Sequence, residues 1–398
     1  MKNGILAERV GRIKPSPTIA VSSRAQELKA AGRDVINLGS GEPDFDTPQH
    51  IKDAAAAAIQ NGETKYTAVG GTAALKAAVA EKLRRENGLE YAPAQIIAST
   101  GAKHSIMNLM TAVLDEGDEA VIPAPYWVSY PDMALLLGAR PVVAAPADGR
   151  KITPDELQNA LTDKSKLLVI NSPSNPSGAM YSRDELAALG EVILRYPKLL
   201  VVSDDIYEHV RYDGRDFANI VNACPELLSR TIVVNGVSKA FAMTGWRIGY
   251  AAGPENIIKA MTKVQSQGTS NPCSIAQAAA AAALNGGLDC IAPMLEAFDR
   301  RRRFVREGLN AAPGLECGEI DGAFYAFAAA GGAIAALHGN GKIAAPTDLE
   351  LCAYLLEKAE VAAVPGSAFG ADNYFRISFA AADDALKTAI SRIQTALA

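Results

Sequence analysis

The stretch from Thr231 to Tyr250 constrains this chain more than any other. Thr231-Ile232-Val233-Val234 is an unbroken β-branched run, the composition of a buried strand. Asn235-Gly236 then reads as a turn, Lys239 follows on a loop, and Trp246 to Ala251 reads as a second short strand. A lysine is thus presented between two core strands, and polar loops on a rigid scaffold are where chemistry concentrates. Its amine can form a Schiff base with an aldehyde cofactor, and the guanidinium of Arg247 can hold a phosphate in a fork. To act near neutral pH the amine must fall from about 10.4 toward about 7, a cost of about 4 kcal/mol. Partial burial and a neighbouring cation both push that way. Taken as a bare pair, Lys239 and Arg247 read more simply as a turn lysine beside a surface arginine.

Length and composition set bounds. A chain of 398 residues can bury a large core, and about two domains are expected. Hydrophobic content of 49% with 21% charged residues is that of a globular enzyme. A net charge of −5 offers no basic stripe to nucleic acid or to an acidic membrane surface. The one basic run, Arg300 to Arg303, falls in a helical pattern and reads as a solvated face. Five scattered cysteines without CxxC spacing fit a reducing compartment, and four dispersed histidines give no metal centre. No signal-like pattern or long apolar run is present, so a cytoplasmic location is expected.

Elsewhere short apolar strands again feed polar turns. Val35 to Leu38 leads into Gly39-Ser40-Gly41-Glu42-Pro43-Asp44-Phe45, a turn-rich loop. Ile96 to Ser99 reaches Gly101-Ala102-Lys103 and then an apolar helix through Leu114. Strand, glycine turn and helix start make an anion site, suited to a phosphate of about −1.5 to −2 charges. Glu119 to Ile122 precedes Tyr126-Trp127; Leu167 to Ile170 delivers the cluster Asn171 to Gly178; Leu199 to Val202 ends in Ser203-Asp204-Asp205-Ile206-Tyr207. Asp204 alone would read as a helix cap. Helical patterns cover Ile19 to Ala31, Gln49 to Gln60, Glu255 to Gln265, Ile275 to Leu284 and Pro293 to Leu309. Arg376 is embedded in the apolar strand Asn373 to Phe379; such an arginine is either in an internal salt bridge or binds a carboxylate.

Val237-Ser238-Lys239 followed by Gly245-Trp246-Arg247-Ile248-Gly249 resembles the cofactor-lysine motif of the class I (fold type I) pyridoxal-phosphate aminotransferases. The Gly-Glu-Pro-Asp-Phe loop, the Gly101 turn, the Asn171–Gly178 cluster, Asp204 with Tyr207, and the Arg376 strand follow in the family's order over nearly the whole chain. The resemblance implies an α/β fold with two parts. A large domain, 47–292, holds a mostly parallel seven-stranded sheet between helices. A smaller α/β domain is formed by 293–398, with the arm and remainder in 1–46. It implies pyridoxal 5′-phosphate as cofactor and Lys239 as the catalytic residue. Gly101, Ala102, Lys103, Ser238 and Arg247 would meet the phosphate, and Trp127 would stack on the ring, with Tyr126 the fallback. Asp204 would face the ring nitrogen and keep it protonated. Asn175 and Tyr207 would bond the phenolic oxygen, and Arg376 with the backbone at Gly41 would receive the substrate's α-carboxylate. Tyr66 would reach the cofactor phosphate of a partner subunit, so a homodimer with shared sites is implied.

Within that family the chain resembles the bacterial aspartate aminotransferase branch. There the substrate's side-chain carboxylate would be met by Ser16, Thr18 and Lys103, which implies transfer from aspartate to 2-oxoglutarate. Lys103 can equally be read as a second counter-charge to the phosphate. Members acting on prephenate or aromatic amino acids belong to the same branch, and Trp127 with its neighbouring tyrosines permits them. A carbon–sulfur β-lyase would share every cofactor residue. A non-catalytic regulator would add a DNA-binding segment that this chain does not show. Two departures stand out: Gly236 sits where some members carry a phosphate-binding serine, leaving Ser238 as the nearby hydroxyl, and Asp205 replaces the usual Glu.

Overall fold

The computed structural model describes residues 5–398. Seven strands form the central sheet: β1 (Ile96–Ser99), β2 (Glu119–Pro123), β3 (Arg140–Ala144), β4 (Ser165–Asn171), β5 (Leu200–Asp204), β6 (Thr231–Gly236) and β7 (Gly249–Ala252). Their order across the sheet is β1-β7-β6-β5-β4-β2-β3. Strands β2 to β6 run parallel; β7 is antiparallel to both neighbours. The mostly parallel α/β architecture expected from the resemblance is therefore present. Parallel strands must be covered on both faces, and successive residues point to opposite sides. Leu168 and Val201 pack in one apolar cluster, while Leu167, Val169 and Val202 pack in the other. In register, Asn171 stands beside Asp204 and Asp204 beside Val234, so polar residues collect at the carboxyl edge, where ligands bind in open α/β sheets.

The second layer of structure is a four-stranded antiparallel sheet ordered Val364–Pro365, Tyr374–Ser378, Tyr325–Ala329, Glu316–Cys317. It packs with the helices Ala292–Asn310 and Asp348–Lys358, and the helix Asp383–Leu397 packs on those two. Ile36–Asn37 pairs in parallel with Val361–Ala362, which joins the start of the chain to its end.

Three local expectations are corrected. The chain does not turn at Asn235-Gly236; β6 continues through Gly236. Asn235 donates to Glu208 Oε1 at 2.8 Å, and a Cβ on Gly236 would lie 3.0 Å from the Gly249 Cα, so this glycine serves close strand approach. The strand expected from Trp246 begins only at Gly249, because Thr244–Trp246 is a 3₁₀ turn and Arg247 takes a left-handed φ of 57°. The basic run is not a solvated face. Arg301 and Arg302 are buried, Arg301 bridging Asp44 and Asp383, and Arg302 pairing with Asp213 and Asp299 over the Tyr212 ring. Helix spacing sends Arg301 and Arg302 inward, and only Arg300 and Arg303 remain outside.

Candidate active site

The carboxyl edge of the sheet, the Lys239 loop, the Gly39–Gly41 loop and the helix Pro17–Ala30 enclose a cavity of about 550 Å³. One end is an anion cradle. Gly101, at φ 87°, turns β1 into the helix Ala102–Val113, whose first N–H groups have no partner within the helix. A Cβ on Gly249 would overlap the Ala102 backbone nitrogen, so β7 presses directly on this turn. Arg247 overhangs Gly101 and its Nη1 donates to the Thr244 carbonyl at 2.8 Å. Ser238 is buried beside it, also on the cavity wall. Lys103 Nζ stands 4.8 Å from the centre of the Trp127 ring, and burial followed by the charge of Arg247 lowers its pKa.

Asp204 ends β5 with its carboxylate fully enclosed. Oδ2 accepts from the Tyr130 hydroxyl at 2.5 Å and Oδ1 from the Ile206 N–H at 3.3 Å. Burial raises this carboxyl to about 6, against the pull of those two donors. Trp127 lies across the cavity wall, edge to face with Tyr130 at 5.2 Å. Tyr126 faces away: its N–H donates to the Phe369 carbonyl and its ring lies on Gly370.

Lys239 Nζ donates to the Gly41 carbonyl at 2.7 Å and has Phe324 at 5.8 Å. Its pKa is brought down to about 8, chiefly by burial and also by the charges of Arg376 and Arg247, against the opposing pull of Glu42 and Asp204. Arg376 is buried at 2% exposure, over the ring of Tyr325 at 4.4 Å. Its Nη1 donates to Asn175 Oδ1 at 2.8 Å and its Nη2 to the Gly39 carbonyl at 2.6 Å. Its Nε has no partner, and among the described residues no carboxylate is paired with it. A buried guanidinium left this way is a receptor for an anion rather than a structural ion pair.

Most of the expected residues are brought together: Gly41, Ala102, Lys103, Trp127, Asn175, Asp204, Tyr207, Ser238, Lys239, Arg247, Arg376 and Thr18 line the cavity. Gly101 and Ser16 stand just behind it, Ser16 bonded to Thr18 at 3.0 Å. Tyr66 is not part of it; its side chain is 91% exposed on this subunit. Sequence reasoning missed Tyr130, which enters the helix Ser129–Leu136 with its N–H bonded to the Trp127 carbonyl at 3.1 Å, so that turn sets the two rings side by side. It also missed Tyr325, bonded to Tyr207 at 2.8 Å, and Ser22, Ser23 and Gln26 at the mouth. Tyr325 had a signal only in strand alternation; the helix residues had none.

The residues fit a planar aldehyde cofactor that carries a phosphate. The cavity joins an anion cradle, an enclosed carboxylate, an aromatic wall and an amine of lowered pKa. Residues 33–393 match the family model described as Aminotransferase class I and II. The chain is 55% identical, over 98% of its length and 99% of the relative's, to an aspartate/prephenate aminotransferase of Nitrosomonas europaea. It is 50% identical to an aspartate aminotransferase of Geobacillus stearothermophilus, covering 98% of each. The crystal structure of an aspartate aminotransferase from Rhizobium meliloti superposes with a TM-score of 0.93 at 48% identity over 98% of both chains. An aspartate aminotransferase of Thermus thermophilus with maleate gives 0.90 at 41% identity, over 98% of this chain and 99% of that one. This chain belongs to the class I and II aminotransferases, and it is an enzyme of the transaminase class.

Proposed function

We propose that the protein uses pyridoxal 5′-phosphate to move the amino group of aspartate to 2-oxoglutarate, giving oxaloacetate and glutamate. The observation that carries this reading is the buried, carboxylate-free Arg376 facing the same cavity as Lys239. When bound, the cofactor supplies an aldehyde that takes up the amino group and a ring that accepts the electron pair left at the substrate's Cα. Gly101, Ala102, Ser238 and Arg247 hold its phosphate, Trp127 covers the ring, and Asp204 holds a proton on the ring nitrogen. Asn175 and Tyr207 address its phenolic oxygen. Lys239 Nζ, neutral above its value of about 8, removes the α-proton of the amino acid. Arg376 and the Gly41 backbone receive the α-carboxylate, and the fork geometry of the guanidinium fixes which bond at Cα faces Lys239.

Thr18 and Lys103, on the cavity wall, and Ser16, bonded to Thr18 behind it, are proposed to meet the second carboxylate of the substrate. The relative crystallised with maleate, itself a dicarboxylate, supports a dicarboxylate as substrate. Prephenate is the second reading, favoured by two relatives at 55% and 54% identity whose names include it. Tyr66, exposed here, is proposed to reach the phosphate of a partner subunit, so that the working enzyme is a homodimer. The test is a half-reaction: holoenzyme is mixed with single amino acids and the loss of its yellow absorbance is timed. Fast conversion with aspartate and glutamate, slowed by Lys103→Ala, supports the dicarboxylate reading. Fast conversion with phenylalanine alone overturns it, and pyruvate and ammonia from a cysteine conjugate would point to the β-lyase.

A further inference from the structure

We infer that Tyr130 is a positioning residue that sets how firmly Asp204 can hold charge opposite the cofactor ring, and that it braces the aromatic wall at the same time. The inference rests on the pyridoxal-phosphate reading above. Tyr130 lies in the first turn of the helix Ser129–Leu136, is 2% exposed, and is itself part of the cavity lining. Its hydroxyl donates to Asp204 Oδ2 at 2.5 Å, the short distance of a bond to an ionised oxygen. Its ring meets Trp127 at 83° and 5.2 Å, so one side chain touches both groups that would contact the ring.

Asp204 has no cationic partner within salt-bridge distance among the described residues; Lys239 acts on it only through its field. Tyr130 and the Ile206 N–H are the donors that favour its ionised form against burial. The amide is long at 3.3 Å, so the phenol is the stronger of the two. Removing the phenol makes the carboxylate more basic. With the cofactor bound, a more basic Asp204 would draw more strongly on the proton it shares with the ring nitrogen, leave less positive charge facing Lys239, and so let Lys239 Nζ keep its proton to higher pH.

The test is the pH midpoint at which the visible absorbance of the holoenzyme changes, measured for wild type, Tyr130→Phe and Tyr130→His. The expected result is an upward shift for Tyr130→Phe, with kcat/KM lower by on the order of tenfold. Tyr130→His, which can still donate, is expected to recover part of the shift. Site-specific 3-fluorotyrosine at position 130 adds almost no bulk and gives a more acidic, stronger donor; it should move the midpoint downward. That measurement remains decisive if Tyr130→Phe fails to fold. Wild-type protein that forms no visible band with pyridoxal phosphate would overturn the cofactor reading itself. A normal band in wild type, with an unmoved midpoint in both Tyr130→Phe and the fluorinated protein, would overturn only this inference. A lower melting temperature with an unmoved midpoint would do so too, leaving Tyr130 as packing alone.

Discussion

Arg301 and Arg376 are buried almost alike, at 7% and 2% exposure, but they are satisfied in opposite ways. Arg301 meets Asp44 through two bonds of 2.7 and 2.9 Å and Asp383 through one of 2.6 Å, between the rings of Phe45 and Phe298. Arg376 meets an amide oxygen, a carbonyl and two aromatic rings. The lysines repeat the contrast. Lys82 is enclosed by the Glu208 carboxylate and Asn87 Oδ1, whereas Lys239 meets only the Gly41 carbonyl. Glu86, Glu208 and His209 gather near Lys82 like a set of metal ligands, yet the Lys82 ammonium already supplies the positive charge there. Cations behind the cavity are neutralised by the fold, and cations inside it await a ligand. Burial alone therefore separates neither kind; the partner does.

The sharpest way to break this contrast is Lys239→Ala. It should lower kcat/KM for transamination by about 10³-fold or more, with a melting temperature equal to or above that of wild type. A large loss of stability would place Lys239 among the structural cations. Next is the pair Arg376→Ala and Arg301→Ala. The first should cost on the order of 10²–10³-fold in kcat/KM, mainly through KM for the amino acid, and leave the melting curve little changed. The second should lower the melting temperature and touch KM far less.

Lys82→Met tests the compensated side. It strands Glu208, and a broken buried pair costs about 3–5 kcal/mol. In the wild type Lys82 holds the Glu208 carboxyl low against burial, so its contribution is present above the ordinary glutamate range and lost as pH falls. In the variant that pull is gone and only Asn87, Asn235 and His209 oppose burial, so the carboxyl rises relative to wild type and ionising it as pH rises costs more. Urea melts should accordingly show a larger deficit at pH 8 than at pH 5. The smallest effect is expected from Glu42→Gln. Glu42 raises the Lys239 amine and Arg376 lowers it. In cofactor-free protein the pH midpoint of Lys239 modification, about 8 in wild type, should fall in Glu42→Gln and rise in Arg376→Met. Movement in the same direction would show that charge is not the cause.

The sequence made the strand-and-turn frame legible because buried strands are continuous apolar runs. The helix Gln49–Gln60 was read to the residue; those read from Glu255, Ile275 and Pro293 were short by one to three positions at their ends, and Ile19 to Ala31 began two positions late and ran one too far. Lys239, Asp204 and Arg376 were legible because each polar group follows or interrupts an apolar run. What stayed hidden depends on distant pairing. Arg301 looks like any helix arginine until Asp44 and Asp383 are brought to it. Gly236 looks like a turn until Gly249 is laid against it. Tyr130 becomes a partner of Asp204 only when β2 and β5 are placed in one sheet.

The bond from Arg376 to the Gly39 carbonyl joins residues 337 positions apart. On a ribosome adding about 5–20 residues each second, the early loop waits roughly 15–70 s for its arginine. Ile36–Asn37 likewise has no strand partner until Val361–Ala362 emerges. During that interval the central sheet can assemble with its cavity mouth unfinished, and the carboxylate receptor is completed only after the sheet that will present the lysine.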